Sequence, residues 1–450
     1  MFIEKCPIKI DLEAKKNKTA IILDEQTISY GQLNAKIDEA VIYFQGAGVQ
    51  IGHRVALIAR NNLQTVIAFF ALARLGAACC ALSTRLPHDV LPTKIKELAA
   101  DFFLDTLTSL VSITGSSNTD IEKGLVFSIM YTSGSSSAPK MVAHSIDNFL
   151  YSALGSNEAL ALSDSDSWLL SLPLFHVGGI AILFRIFLSA GSVVITELPF
   201  LNSLYKFPVT HVSMVPTQLY RLVQNKPQSI PSSMKSILVG GAPIGLDLFE
   251  KISYLGINIL PTYGMTEMSS QVTMAHPKDS SSGVALPYRE IRISEEGEIL
   301  VRGKTLFLGY LQNKTTLQCP LNDTWFATKD LGKIDKNGKL HVLGRKDNMF
   351  ISGGENIHPE TIERELLTLP GIIQAFVIAI EDKEFGHRPV AFIDQDQQKI
   401  KTLDEIKEHL SLKLPKYYCP IKLYNIPNTL LKDIKVSRAS LKFWLATTQA

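Results

Sequence analysis

The chain has 450 residues, of which 46% are apolar and 20% charged, and its 45 basic and 43 acidic side chains leave a net charge of +2. At roughly 100–200 residues per domain, this length predicts a protein of about two to four domains. The near-neutral charge excludes a polybasic nucleic-acid or membrane-surface protein, and the ordinary apolar fraction excludes a mainly disordered chain. We therefore expect a folded protein with no nucleic-acid partner.

The cysteine pattern and the apolar stretches indicate the compartment. Five cysteines without metal-ligand spacing favour a reducing environment. Residues 1–18 lack the apolar core of a secretory signal. The most apolar stretches, residues 65–83 and 178–195, are interrupted by Arg74 and Arg185, which favours a buried helix followed by a strand over a membrane span. We expect a cytoplasmic protein without stable membrane insertion.

Short apolar runs alternate with helical periods through the first three hundred residues. Strands are predicted at residues 54–59, 166–172, 193–196, 209–215 and 237–239, and helices at residues 63–75 and from Val215 onward. Such alternation is typical of α/β layers with mostly buried sheets.

The pattern changes after Gly297 to short strands joined by turns. Residues 297–303 predict a strand, and residues 335–345 contain a Lys-Asn-Gly centre that is typical of a hairpin. Further on, residues 358–368 predict a helix and residues 375–380 a strand. We expect a domain boundary near residues 346 and 347, with a large domain over 1–346 and a small one over 347–450.

A loop rich in small hydroxyl residues, YTSGSSSAPK, occupies residues 131–140. Hydroxyl and backbone N–H groups can donate to phosphate oxygens, and Lys140 adds a positive charge. Taken alone, the loop is equally well explained as a solvated serine loop. It is not a Walker A loop, because Pro139 stands at the second glycine position and Met141 where Ser or Thr would hold magnesium.

The loop is similar to the TSGTTGxPK loop of the adenylate-forming acyl-CoA synthetases, and more motifs follow in that family's order. They are GGAP at 240–243, TYGMTE at 262–267, TKDLGKID at 328–335, GRKDNMFISGGENIHPETIE at 344–363 and KVSR at 435–438. The resemblance covers roughly residues 20–445. It implies an α/β fold with a large N-terminal domain of layered α/β subdomains plus a distorted β-barrel, and a small mobile α+β C-terminal domain. It also implies ATP, Mg²⁺ and coenzyme A as cofactors and co-substrates.

The resemblance assigns nucleotide ligands to these motifs. Tyr263 would supply a flat face for adenine, Gly264 would allow close approach, Thr266 would donate to the α-phosphate, and Glu267 would be an oxygen ligand for Mg²⁺. Asp330 would be the ribose-binding carboxylate. The other ATP-binding residues it implies are Thr132, Ser133, Gly134, Ser135, Ser136, Lys140, Gly241, Ala242 and Arg345.

Lys435 of the KVSR motif resembles the family's catalytic lysine. Attack by a carboxylate on the α-phosphate brings two anions together, and an ammonium group bridging them would stabilise the transition state. Ile434 replaces the glycine that usually precedes this lysine, and Lys432 is a competing candidate. The Lys-x-x-Arg spacing to Arg438 favours Lys435.

Asp347 resembles the hinge about which the family's small domain turns between two half-reactions. This rotation of the small domain would withdraw Lys435 and bring Gly353 and Gly354 near a thioester site, where they would line a coenzyme A tunnel. The glycine pair is equally well explained as a plain turn.

Three stretches of the sequence indicate which carboxylic acid would be the substrate. The motif SLPLFHVGG places His176 at the entry of the acyl site, as a catalytic or gating residue, unless it is a structural histidine. Arg185 interrupts an apolar helix and needs a carboxylate from the protein or from an acidic substrate. Together with VSMVPTQLYRL, residues 382–390 and the ending IKVSRASLKFW, these features resemble the o-succinylbenzoate–CoA ligase branch of the family. By this resemblance Arg185 would pair with the second carboxylate of 2-succinylbenzoate, and Ser213 and Thr262 would line the same pocket.

Two alternatives and two departures accompany this reading. The chain would otherwise be a ligase for another aryl or short-chain acid, or a nucleotide-binding regulator with the same fold and no CoA transfer. Ser137 replaces a loop glycine and Met141 the glycine after the lysine, and the serine would stiffen the loop and reduce turnover or ATP affinity. The family also leads us to expect a homodimer.

Overall fold

The computed structural model describes residues 5–113, 126–132, 140–224, 231–253, 258–312, 316–396, 400–431 and 436–448. Its α-helices are α1 (Leu12–Lys15), α2 (Tyr30–Gly46), α3 (Leu63–Leu75), α4 (Leu91–Glu97), α5 (Ile146–Leu160), α6 (Val177–Leu188), α7 (Phe200–Lys206), α8 (Pro216–Gln224), α9 (Leu246–Ser253), α10 (Pro359–Leu366), α11 (Leu403–Ser411), α12 (Asn428–Leu431) and α13 (Arg438–Thr448). Short 3₁₀ helices occupy Thr266–Met268, Lys346–Asn348 and Lys416–Tyr418.

The strands of the first half of the chain are β1 (Thr19–Ile22), β2 (Thr27–Ser29), β3 (Arg54–Ile58), β4 (Ala78–Leu82), β5 (Phe102–Leu104), β6 (Leu110–Ser112), β7 (Ser128–Tyr131), β8 (Met141–His144), β9 (Ser167–Leu169), β10 (Ser192–Val194), β11 (His211–Met214) and β12 (Ser236–Val239). Those of the second half are β13 (Asn258–Met265), β14 (Ser270–Met274), β15 (Val284–Ala285), β16 (Arg289–Ile293), β17 (Glu298–Gly303), β18 (Gly309–Gln312), β19 (Thr316–Gln318), β20 (Leu321–Asn322), β21 (Trp325–Ile334), β22 (Leu340–Arg345), β23 (Phe350–Ser352), β24 (Glu355–Ile357), β25 (Ile372–Asp382), β26 (Gly386–Gln395) and β27 (Lys422–Asn425).

Two large sheets form the layers of the N-terminal domain. In the described part of the chain, one has the order β15-β14-β13-β12-β11-β9-β10-β1-β2 and the other the order β19-β18-β8-β7-β4-β3-β5-β6. The strands from β13 to β1 in the first sheet and from β7 to β5 in the second are parallel. Parallel strands are covered on both faces, which explains why they are continuous apolar runs.

An aromatic cluster centred on Phe184 of α6 joins these layers. Its ring lies 5.6 Å from that of Phe127, 5.3 Å from that of Phe149 and 5.7 Å from that of Phe70. All four side chains are at most 5% exposed, and each buried phenylalanine contributes about 1.5–3 kcal/mol. The cluster therefore fixes α6 against the segment that leads into β7 and the serine-rich loop.

Besides the two large sheets, the N-terminal domain contains an antiparallel sheet of β16, β17, β21, β20 and β22. Among the residues the structure describes, its strand pairs follow an open order and include no closing pair. The predicted hairpin at residues 335–345 is confirmed, since Asp335 N–H donates to the Lys339 carbonyl at 3.0 Å and β21 pairs with β22.

The smaller C-terminal domain has its own sheet, in the order β25-β26-β27. Helices α10 and α11 pack on it through Ile362, Leu366 and Ile406, which are fully buried with Val377 and Ile393. This confirms the predicted fold class, in which a large α/β domain precedes a small α+β domain. None of the described helices has the length and apolar character required to cross a membrane.

Predicted and observed elements agree best where the local signals are strong. Helix α3 has the predicted bounds because the Asn62 side chain accepts from Thr65 N–H at its start and Gly76 adopts φ 69° at its end. The strand predicted at residues 166–172 is shorter in the structure, at Ser167–Leu169, because Ser171 N–H donates to the Leu169 carbonyl at 2.8 Å and the chain turns there.

Candidate active site

The base of the serine-rich loop is closed by two hydrogen bonds. Thr132 N–H donates to the Lys140 carbonyl at 2.9 Å, and Lys140 N–H donates to Thr132 Oγ1 at 3.2 Å. The loop joins the antiparallel strands β7 and β8, in which Tyr131 is opposite Met141, so Met141 is a strand residue rather than part of the loop. The predicted phosphate ligands Ser133, Gly134, Ser135 and Ser136, and also Ser137, lie outside the described residues.

The YGMTE motif begins in strand β13 and ends in the short 3₁₀ helix that follows it. Gly264 has no room for a side chain, because a Cβ atom there would lie 2.2 Å from the Ser270 carbonyl oxygen. The Tyr263 ring is 8% exposed, and its hydroxyl donates to Asp330 Oδ2 at 2.7 Å. Burial, followed by the nearby Asp330 charge, raises the pKa of Tyr263 well above its usual value, so this hydroxyl stays a donor.

Glu267 lies beside the end of the serine-rich loop. Its Oε1 accepts from the Tyr310 hydroxyl at 2.8 Å, and the Lys140 ammonium lies 4.4 Å from the centre of the Tyr310 ring. No group of three or more metal-ligating side chains occurs among the described residues. A carboxylate of this kind fits a Mg²⁺ ion that takes its other ligands from phosphate oxygens and water.

Asp330 and Arg345 face each other across the β21–β22 pair. Arg345 Nη1 donates to Asp330 Oδ1 at 3.0 Å, and its Nε and Nη2 donate to the two oxygens of Asp347 at 2.9 and 3.1 Å. Although burial works in the opposite direction, the bonds from Arg345 hold the pKa of Asp347 below its usual value. The structure thus connects the predicted ribose ligand, through Arg345, to the predicted hinge residue.

His144 joins the site without having been predicted. It ends β8, is fully buried, and its Nε2 lies 2.7 Å from the Thr266 carbonyl oxygen. Burial lowers the pKa of His144 to about 4, so the neutral ring donates to this carbonyl. A histidine at the end of an otherwise apolar strand was the available signal, but its partner is 122 residues away.

Arg185 lies deep in the large domain, at 2% exposure. Its Nη2 donates to Ser270 Oγ at 3.2 Å, and its guanidinium lies 5.5 Å from the centre of the Trp168 ring. Arg289 is also buried nearby, and burial together with this second positive charge lowers the pKa of Arg185 to about 9. Neither arginine forms an ion pair with a carboxylate among the described residues.

Several buried polar atoms near Arg185 lack hydrogen-bond partners within the described part of the chain. They are Arg185 Nε, Gln271 Nε2, Asn157 Oδ1 and Trp168 Nε1. Asn157 Nδ2 donates to the Arg185 carbonyl at 2.8 Å, and Gln271 is adjacent to Ser270 in β14. Buried polar groups are normally satisfied, and three of these atoms, on Arg185, Gln271 and Trp168, are donors of the kind that a site for an anion needs, whereas the Asn157 oxygen is an acceptor.

The other predicted acid-site residues lie on neighbouring elements. His176 precedes α6, and its ring lies 4.6 Å from that of Phe175. Nine residues of helix correspond to about 14 Å, so His176 and Arg185 lie at opposite ends of α6. Ser213 is buried in β11, and Thr262 Oγ1 donates to the Val239 carbonyl at 3.3 Å.

Two different constraints explain the glycine pair that follows β12. A Cβ atom on Gly240 would lie 2.6 Å from Thr262 Oγ1, and Gly241 has φ 85°. Gly241 and Ala242 are exposed in the loop beyond this strand.

The structure describes only some of the residues predicted in the C-terminal domain. Lys435, like Lys432 and Ile434, lies outside the described residues. Gly353 and Gly354 form the tight turn between β23 and β24, with φ 58° and 87°, a conformation that favours glycine. Gly353 N–H donates to the Phe385 carbonyl at 2.9 Å.

Comparisons with known proteins agree with this arrangement. The model of the AMP-binding enzyme family matches residues 9–122 and 106–311, and that of the AMP-binding enzyme C-terminal domain matches residues 361–433. The chain is 34% identical to the 2-succinylbenzoate–CoA ligase of Escherichia coli, covering 96% of each chain. It is 35% identical to the enzyme of that name from Haemophilus influenzae, covering 93% of each.

Solved structures show the same similarity. An Escherichia coli MenE variant with bound OSB-AMS has a TM-score of 0.85 at 33% identity, covering 98% of each chain. The Bacillus subtilis o-succinylbenzoate coenzyme A synthetase (MenE) in complex with ATP and a magnesium ion has a TM-score of 0.81 at 28% identity, covering 94% of this chain and 95% of that one. The chain belongs to the AMP-binding enzyme family.

Proposed function

We propose that this chain is an ATP-dependent ligase that converts 2-succinylbenzoate, ATP and coenzyme A to 2-succinylbenzoyl-CoA, AMP and diphosphate, a step of menaquinone biosynthesis. Its full-length relatives have this activity in their names. The observation that carries the choice of acid is Arg185, a buried guanidinium with no carboxylate partner among the described residues.

In the first half-reaction, an oxygen of the succinyl carboxylate attacks the α-phosphorus of ATP, and the bond to the leaving diphosphate breaks. Thr266 would donate to the α-phosphate, held in place by the His144 bond to its carbonyl. Lys140 and Lys435 would offset the charge that builds up as the two anions approach. Bound Mg²⁺, held by Glu267, would supply further charge neutralisation at the phosphates.

The nucleotide would lie between the serine-rich loop and the β21–β22 pair. Asp330 would accept from both ribose hydroxyls, and Tyr263 and Arg345, which now donate to it, hold its carboxylate in position. Gly241 and Ala242 would border the adenine.

The acid would extend along α6. Its aromatic carboxylate would pair with Arg185 and supply the negative charge that this buried site lacks. The succinyl carboxylate would then lie towards His176 and the α-phosphate, with Ser213 and Thr262 beside the chain of the acid. An acid with one carboxylate would leave Arg185 unpaired, so we expect it to be a poor substrate.

In the second half-reaction, the thiol of coenzyme A loses its proton and attacks the acyl carbonyl carbon, and AMP leaves. We place the domain boundary between residues 346 and 347, with Asp347 as the hinge of a rotation that withdraws Lys435 and presents Gly353 and Gly354.

The proposal includes a cytoplasmic location, favoured by five free cysteines, and a homodimer.

A panel of acids assayed by diphosphate release tests the proposal. We expect 2-succinylbenzoate to give the highest kcat/KM, and Arg185→Gln to lower it at least about 30-fold while the KM for ATP stays within twofold. The matched control is Arg74→Gln, which removes a buried arginine that pairs with Asp38 at 2.6 Å in another part of the domain. It should not change the order of preference among the acids.

The two alternatives have distinct outcomes in the same assay. A best substrate with a single carboxylate would identify a ligase for another acid. Acyl-adenylate that accumulates and yields no thioester after coenzyme A is added would identify a regulator without CoA transfer.

A further inference from the structure

Arg438 is the first residue of α13, three residues after Lys435. Its Nη2 lies 2.6 and 2.8 Å from the two oxygens of Glu363, and its Nε donates to the Val377 carbonyl at 3.2 Å. The side chain is 16% exposed. Arg438 thus ties the start of α13 to both helix α10 and strand β25 of the C-terminal domain.

The Glu363 side chain is also fixed by burial and by a second hydrogen bond. Its side chain is 11% exposed, and its Oε1 also accepts from Val377 N–H at 2.6 Å. Burial raises the pKa of Glu363 to about 7, and the charge of Arg438 opposes this rise. A carboxylate in such surroundings is costly without a cation, so the pair is a strong constraint on the position of Arg438.

A second carboxylate extends this network to the predicted hinge. Glu360 Oε1 lies 3.0 Å from Arg438 Nη2 and accepts from Asn348 Nδ2 at 2.6 Å. Glu360 also packs against the large domain, since a Cβ atom on Gly344 would lie 2.9 Å from its side chain. One chain of polar contacts therefore connects the residue after Asp347 with the start of α13.

The residues on both sides of Lys432 to Lys435 are anchored. On one side, the Leu431 carbonyl accepts from Arg221 Nη2 at 2.8 Å. On the other, Val436 is 5% exposed, and Ser440 N–H donates to Ser437 Oγ at 3.0 Å. The described chain is therefore anchored immediately before Lys432 and immediately after Lys435.

We propose that Arg438 is a positioning residue, which, through Glu363 and Glu360, fixes the point of the C-terminal domain from which Lys435 extends and links that point to the hinge segment. This inference rests on the proposed function, in which Lys435 acts in adenylation. It predicts that loss of the bidentate pair affects the half-reaction that needs Lys435 and leaves the other one intact.

The test measures both half-reactions in Arg438→Lys and Glu363→Gln, with adenylation followed by diphosphate release and thioester formation started from preformed acyl-adenylate. We expect the kcat of adenylation to fall about 10–100-fold, because a displacement of about 1 Å has an effect of this size. The KM values for ATP and acid should stay within twofold, and thioester formation within about threefold. The matched control is Glu365→Gln. Glu365 lies on α10, like Glu363, but pairs with Lys413 instead of Arg438, so its replacement should change neither half-reaction.

A double variant separates positioning from a general effect on folding. If Arg438 acts through Lys435, then Arg438→Lys should have no further effect on adenylation when Lys435→Ala is already present. A further fall in that background, equal losses in both half-reactions, or normal adenylation in both single variants would overturn the inference. Failure of the wild type to form acyl-adenylate would instead refute the proposed function.

Discussion

At the scale of single residues, the energetics of buried charge explain the surroundings of Arg185. Its guanidinium is buried beside a second arginine and has no carboxylate partner in the described residues. An uncompensated buried charge destabilises the folded state, and replacing buried charged groups with apolar side chains of similar volume is often neutral or stabilising. We therefore predict that Arg185→Met unfolds at a higher temperature than the wild type without substrate, by about 1–3 kcal/mol in the free energy of unfolding, while it loses turnover of 2-succinylbenzoate. A lower melting temperature in calorimetry would show that the protein itself compensates this charge.

His144 gives a prediction about acid stability. The folded state keeps its ring neutral, with a pKa of about 4 instead of 6.5. Below pH 6.5 only the unfolded chain takes up this proton, so stability falls as the pH drops from 6.5 to about 4, by about 3 kcal/mol from this residue. In His144→Gln, whose side-chain amide can still donate to the Thr266 carbonyl, urea unfolding should show a shallower decline over the same range. An unchanged slope would contradict the neutral assignment.

At the scale of elements, the pairing of β13 with β14 depends on the absence of a side chain at Gly264. We predict that Gly264→Ala lowers ATP-dependent turnover about 100-fold or more, because the added Cβ would lie 2.2 Å from the Ser270 carbonyl oxygen and would move the strand that leads to Thr266 and Glu267. Gly46→Ala is the matched control, since a Cβ there meets nothing within 4 Å. The measurement is the rate of diphosphate release by each variant, and near-normal turnover in Gly264→Ala would contradict the prediction.

The elements also show what the sequence can predict. Helix α3 and the hairpin at residues 335–345 follow from local signals, an N-cap, a C-terminal glycine and a Lys-Asn-Gly turn. Motifs likewise indicate Tyr263 and Asp330, although not the hydrogen bond that joins them. His144, Ser270 and Tyr310 enter the site through partners that are distant in the sequence, so no local pattern predicts these contacts.

At the scale of the whole molecule, the account requires two half-reactions that depend on different residues. Lys435→Ala should lower the rate of adenylation about 100-fold or more, since it removes the charge that we propose bridges the two anions. It should leave thioester formation from preformed acyl-adenylate within about threefold of the wild type, because in the proposed mechanism that step follows a rotation about Asp347 that withdraws Lys435. Comparable losses in both steps, measured by rapid quench, would contradict the proposal that Lys435 acts in adenylation and not in thioester formation.

The most direct test of the account is a single-turnover experiment with excess enzyme, 2-succinylbenzoate, ATP and Mg²⁺, followed by addition of coenzyme A and mass analysis of the products. We predict that 2-succinylbenzoyl-AMP accumulates together with diphosphate, and that coenzyme A converts it to an equal amount of thioester and AMP. Absence of the adenylate, or an adenylate that coenzyme A leaves unchanged, would contradict the central claim that this chain is an acid–CoA ligase.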